Sequence, residues 1–118
     1  MAYEPQLVAL AGPLLGGRLY ADVLPDNPTF PCGVYQQVGG QALWFGEGVM
    51  PDHKHARVQI TLWAATRAQA NTLMRAIEGA LCASLPKSEA IGAFTATYED
   101  AIKKYGARQD FGLWYLDP

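Results

Sequence analysis

From Ala56 to Ala64 the apolar side chains of Ala56, Val58, Ile60, Leu62 and Ala64 alternate with Arg57, Gln59, Thr61 and Trp63. A period of two sends the first set to one face of a strand and the second set to the other, so the spacing predicts a half-buried β-strand. The period then changes. Thr66 stands three residues before Gln69, the spacing of a helix cap, and Ala70, Leu73, Met74, Ile77, Leu81 and Leu85 follow at helical intervals. A strand leading directly into a long helix is therefore expected from 56 to 85. Gly79, inside that helix, costs about 1 kcal/mol relative to Ala, and its expected role is to let the helix backbone approach the sheet closely.

Weaker patterns flank this unit. Leu7, Leu10, Ala11, Leu14 and Leu15 share one face of an N-terminal helix whose last turn is disturbed by Gly12 and Pro13 and ended by Gly16-Gly17. A short strand is expected around Leu19 to Asp22, then a turn-rich loop through Pro25, Asp26, Asn27 and Pro28, then a strand from Phe30 to Val38. Residues 39–55 hold Gly39, Gly40, Gly46, Gly48 and Pro51 without a clear period, and read as a mobile loop or a protruding hairpin. After a polar break at Pro86 to Glu89, Ala90 to Tyr98 alternates as a strand with Phe94 and Tyr98 on one face. Glu99 to Gly106 reads as a charged turn. In the last strand Phe111, Leu113 and Tyr115 oppose Gly112, Trp114 and Leu116, so apolar surroundings are expected on both faces and a place inside the sheet. These elements sum to an α+β fold: a mostly antiparallel or mixed sheet of about four to five strands with two helices on one face.

Composition narrows the picture. A chain of 118 residues makes one domain, with no room for a second. Half of the residues are hydrophobic and 17% are charged, a low share for a monomer and one that suits a chain hiding further surface against copies of itself. The net charge is -2 and Lys and Arg are scattered, so no basic stripe is present to neutralise several phosphates and no direct nucleic-acid binding is expected. No stretch approaches the roughly 20 apolar residues that span a bilayer, and no positive region followed by an apolar run opens the chain. A protein that is soluble and cytoplasmic when made, without a membrane, is the expectation. Cys32 and Cys82 fall in a strand and a helix pattern, where buried free thiols are the ordinary outcome.

Candidate chemistry is sparse. His53 and His55, two apart on a strand, would face one way and suit a shared zinc ion, with Asp52 or Glu47 as a further ligand. No third ligand stands at a recognised spacing, and two solvated histidines in an exposed loop are the commoner reading of such a pair. Asp22, Asp26, Asp52, Asp100 and Asp110 mostly flank turns, where Asp bonds its own backbone. Ser84 and Ser88 are the only serines, and neither sits in a nucleophile elbow. No glycine run opens a phosphate-binding helix. No cofactor, no metal and no catalysis are expected. The more useful constellation is apolar: Leu43, Trp44, Phe45, Val49 and Met50, interleaved with glycines, form a candidate oligomer interface anchored by the two aromatics, with a fold-back over the chain's own core as the alternative. Arg57, Gln59 and Thr61 form a polar row, solvated or facing a partner. Gln109 and Asp110, placed at a strand start, are explained by local turn and edge bonding.

Several segments carry a resemblance in order and spacing. Gly16-Gly17-Arg18-Leu19-Tyr20-Ala21-Asp22, Pro31-Cys32-Gly33-Val34-Tyr35-Gln36-Gln37-Val38-Gly39-Gly40, Ala56 to Ala64, and Gln109-Asp110-Phe111 with Trp114-Tyr115 together resemble the small tail-completion proteins of long-tailed phages, the tail terminator and tail-to-head joining group. The resemblance implies a structural protein that forms a ring, six copies being the family expectation, on the end of the tail tube. It implies partners in the tail tube protein and a head-completion or connector protein, and a place in the virion tail after assembly in the host bacterial cytoplasm. It adds no metal. Isolated subunits that stay monomeric are compatible with it, since weak contacts add up on a tube. The competing class is a small metal- or ligand-binding α+β module using His53 and His55.

Overall fold

Thr66 caps the long helix as its spacing requires: its Oγ1 accepts the Gln69 amide at 3.1 Å, and Gln69 Oε1 accepts the Ala65 amide in return at 3.3 Å. This is seen in a computed structural model of the protein, which describes residues 3–42, 44, 52–85 and 87–116. The helix, α2 (Arg67–Ser84), buries Ala70, Met74, Ile77 and Leu81 along one stripe. Before it runs β3 (His53–Ala64), in which Ala56, Val58, Ile60, Leu62 and Ala64 are all fully buried. The strand is three residues longer than its alternation predicts. His53 to His55 pair with Leu116, Tyr115 and Trp114, so the last strand draws them into the sheet despite their polarity.

The remaining elements are α1 (Glu4–Ala11), continued by a 3-10 turn at Gly12–Leu15, then β1 (Leu19–Ala21), β2 (Cys32–Gly39), β4 (Glu89–Glu99) and β5 (Lys104–Leu116). Pro13 explains the tightened turn: it has no amide hydrogen to give to the α-helical ladder. Gly16 then closes it with a left-handed backbone. The strands form one mixed sheet in the order β1-β2-β3-β5-β4, with β1 parallel to β2 and every other pair antiparallel. β5 thus lies inside the sheet between β3 and β4. The fold is α+β, with α1 and α2 against one face.

The core lies between that face and the helices. Leu7, Ala11 and Leu15 descend from the N-terminal segment, Met74, Ile77 and Leu81 from α2, and Val58, Ile60, Leu62, Phe111 and Leu113 rise from the sheet. Gly33 makes room for the 3-10 turn, because a Cβ there would stand 3.1 Å from Leu15 Cδ1 and 3.0 Å from the Thr61 carbonyl. Arg67 ties the start of α2 to the β4-β5 hairpin. Its guanidinium donates to the carbonyls of Gly106 and Thr97 and lies 5.4 Å from the centroid of the Tyr105 ring.

Four expectations are corrected. Gly79 does not permit close packing: it is exposed on the outer side of α2, and a Cβ added to it would meet nothing within 4 Å. Cys32 is a buried free thiol, its pKa pushed up by burial against an opposing pull from Arg18, but the free Cys82 is exposed. The turn expected over Glu99 to Gly106 is confined to 100–103, because Lys104 and Tyr105 pair with Glu99 and Tyr98 and the two tyrosine rings pack 5.0 Å apart. Gln109 and Asp110 therefore stand well inside β5, not at a strand start.

Candidate interaction surface

Alternation decides what the face of the sheet opposite the helices displays. With even-numbered residues of β3 in the core, Arg57, Gln59, Thr61 and Trp63 point to the opposite face. In β5 the core takes odd-numbered residues, so Asp110 emerges beside Gln59, its register partner. Arg57 Nε donates to Asp110 Oδ2 at 2.8 Å, and Gln59 Nε2 donates to Asp110 Oδ1 at 3.1 Å. Both carboxylate oxygens are thus held by β3. The ion pair joins an Arg57 side chain that is 46% exposed to an Asp110 that is 16% exposed, so solvent screens it and its main effect is to fix geometry. Thr61 stands opposite Arg108 in the same register. The polar row expected on β3 is therefore half of a cross-strand cluster whose other half is supplied by β5.

Local edge bonding does not account for Gln109 and Asp110, and the sequence pattern itself places them. The alternation of Phe111, Leu113 and Tyr115 runs back through Gln109 and Ala107, which predicts a core-facing Gln109 and an Asp110 on the face of Arg57. Gln109 is indeed 2% exposed. Its Nε2 donates to Glu78 Oε1 of α2 at 2.6 Å and to the Gly92 carbonyl of β4 at 2.9 Å, while its Oε1 is buried with no hydrogen-bond partner among the described residues.

At one end of the open face His55 packs its ring on Trp114, its register partner, with centroids 4.7 Å apart. Gly112 makes this possible, since a Cβ there would stand 3.0 Å from His55 Nε2. His55 Nδ1 accepts the Gln41 amide at 3.0 Å, which commits that nitrogen to the chain leaving β2. His53 and His55 thus belong to a strand, not to a loop. Among the described residues no three His, Cys, Asp or Glu side chains gather as a metal site; Glu47 lies outside them. An open cleft of about 450 Å³ runs past this end, lined by Val38, Gln41, His55, Arg57, Glu89 and Ile91.

Of the proposed apolar interface, Trp44 is 61% exposed. Leu43, Phe45, Val49 and Met50 lie outside the described residues. Other large apolar side chains left at the surface include Val38, Leu116 and the Tyr98 and Tyr105 pair. No helix of the described residues is long and apolar enough to cross a membrane.

Among the described residues the helices cover one face of the mixed sheet and a fixed polar cluster stands on the other, the arrangement of an α+β protein with a face open to contacts. Residues 4–112 match the family of Tail completion protein gp17, and the chain belongs to that family. It is a phage tail completion protein, a structural component of the tail. No match to a curated protein accompanies the family match.

Proposed function

We propose that this protein caps the tail tube as a ring of its own copies, ending tail growth, joining the tail to the head, or both. The observation that carries the reading is the family match over residues 4–112. A ring needs heterologous contacts, in which one patch of a subunit meets a different patch of the next. The segment containing Leu43, Trp44, Phe45, Val49 and Met50 supplies one patch, with Trp44 and Phe45 as anchors. The row of Arg57, Gln59 and Thr61 faces a partner across the uncovered sheet. Its partners are other copies, the tail tube protein and a head-completion or connector protein. The whole chain acts as one domain, assembles in the host cytoplasm and performs no catalysis.

Electron microscopy of particles made with and without the gene tests the reading. Overlong or unattached tails beside tailless heads in the deletion are expected, and tail length separates the terminating role from the joining one. Normal, infectious particles from the deletion would overturn it. Replacing Trp44 and Phe45 by Ser is expected to leave the fold intact and abolish capping; normal capping by that variant would remove the aromatic anchors from the account.

A further inference from the structure

β4 is an edge strand of eleven residues. An edge presents unpaired amides and carbonyls to any other chain, and proteins usually blunt it with lysine, proline, inward charges or a bulge. From Ala90 to Tyr98 the sequence has no charged residue and no proline. What it has is a bulge. The register jumps from Ile91↔Asp110 to Thr95↔Arg108, so Gly92, Ala93 and Phe94 stand opposite Gln109 alone. Gly92 turns the strand with φ 77°, and a Cβ there would meet nothing within 4 Å, so this conformation is not imposed by crowding.

The bulge is instead held from beneath. Gln109 extends from β5 into the space under α2 and gives both amide hydrogens away, one to the Gly92 carbonyl and one to Glu78. Both neighbours are acceptors, so the nitrogen of the amide must face them. Its own oxygen has no partner among the described residues, and burying it so has a cost that an apolar residue would avoid. A residue kept at such a cost has work to do at the place it contacts.

We propose that Gln109 is the pin of a built-in block on strand addition: by fixing the bulge between Ile91 and Thr95 it keeps the β4 edge from pairing with the edge strand of another copy. The bulge bends the strand and breaks its outward row of hydrogen-bonding groups into two short runs, which makes the edge a poorer template for a partner. The block acts on the free subunit and does not rest on ring formation.

The test compares the masses of full-length variants by light scattering over a concentration series, with folding checked by circular dichroism. Gln109→Leu removes the pin, and deletion of Gly92 and Ala93 together removes the two extra residues while preserving alternation. Both are expected to associate at about tenfold lower concentration than the parent protein. Adding Ala93→Lys to Gln109→Leu places a charge on the edge and is expected to reverse the association. Amide exchange at Ile91 to Thr95 should slow in the associated state. If Gln109→Leu fails to fold, the deletion decides. Unchanged mass in the folded variants, or association that Ala93→Lys leaves intact, overturns the proposal.

Discussion

Arg57 and Asp110, 53 positions apart in the chain, meet across β3 and β5 with Nε 2.8 Å from Oδ2. Gln59 completes the clamp on the other carboxylate oxygen. Two sequence segments that resemble the family for separate reasons are thus one structural unit, locked at a single register. A one-residue slip would send Asp110 into the core and Phe111 to the open face.

The clamp is expected to contribute little net stability. Because Arg57 is half exposed, a double-mutant cycle of Arg57→Ala and Asp110→Ala should give a coupling of about 0.5 to 1 kcal/mol, shrinking at high salt. Urea denaturation of the four proteins at two salt concentrations measures it. A coupling above about 2 kcal/mol would mean the pair is far better shielded than its exposure indicates.

Gly79 offers a stabilising substitution. It lies in the interior of α2, faces outward and has open space where a Cβ would go, so Gly79→Ala should raise stability by about 1 kcal/mol through the backbone entropy of the unfolded chain. The melting temperature checks this. A loss would show that the helix surface at Gly79 is already occupied.

Core truncation should be costly. Ile60 and Leu62 are fully buried between the sheet and the helices, and replacing either by Ala should cost about 2 to 5 kcal/mol. Trp44→Ser, at a mainly exposed position, should change stability by less than about 0.5 kcal/mol. Parallel denaturation curves distinguish them.

Tyr3 makes the fold sensitive to alkali. It is buried, its ring packs on Tyr115 with centroids 5.4 Å apart, and burial, aided by Glu4, pushes its hydroxyl up to about 12. An unfolded tyrosine ionises near 10. The neutral form is therefore favoured in the folded state: its contribution is full below pH 10 and is lost as pH rises through about 12. Tyr3→Phe should weaken the loss of stability between pH 10 and 12 relative to the parent. Identical pH slopes for the two proteins would place the alkaline sensitivity elsewhere, with Tyr35, also raised by burial, the next residue to replace.

Much of this protein was determined locally. The period of two from Ala56 to Ala64, the shift to helical spacing after Thr66, the capping by Thr66 and Gln69, and the first helix's disturbance at Gly12 and Pro13 and its stop at Gly16 all depend on neighbours within a few residues, so the chain carries them in its own pattern. The outward position of Gly79 was legible too, two residues beyond Ile77 on the far side of the helix. Tertiary structure decided the rest. Strand order and register, hence the meeting of Arg57, Gln59 and Asp110, depend on which segments pair across long loops, and the residues of one strand do not encode their partners. Pairing also recruited His53 and Lys104 into strands that their polarity argued against, since a backbone ladder accepts any side chain at a solvent-facing end. The bulge opposite Gln109 is the clearest case: it exists only where two strands of unequal local length share one helix-covered face.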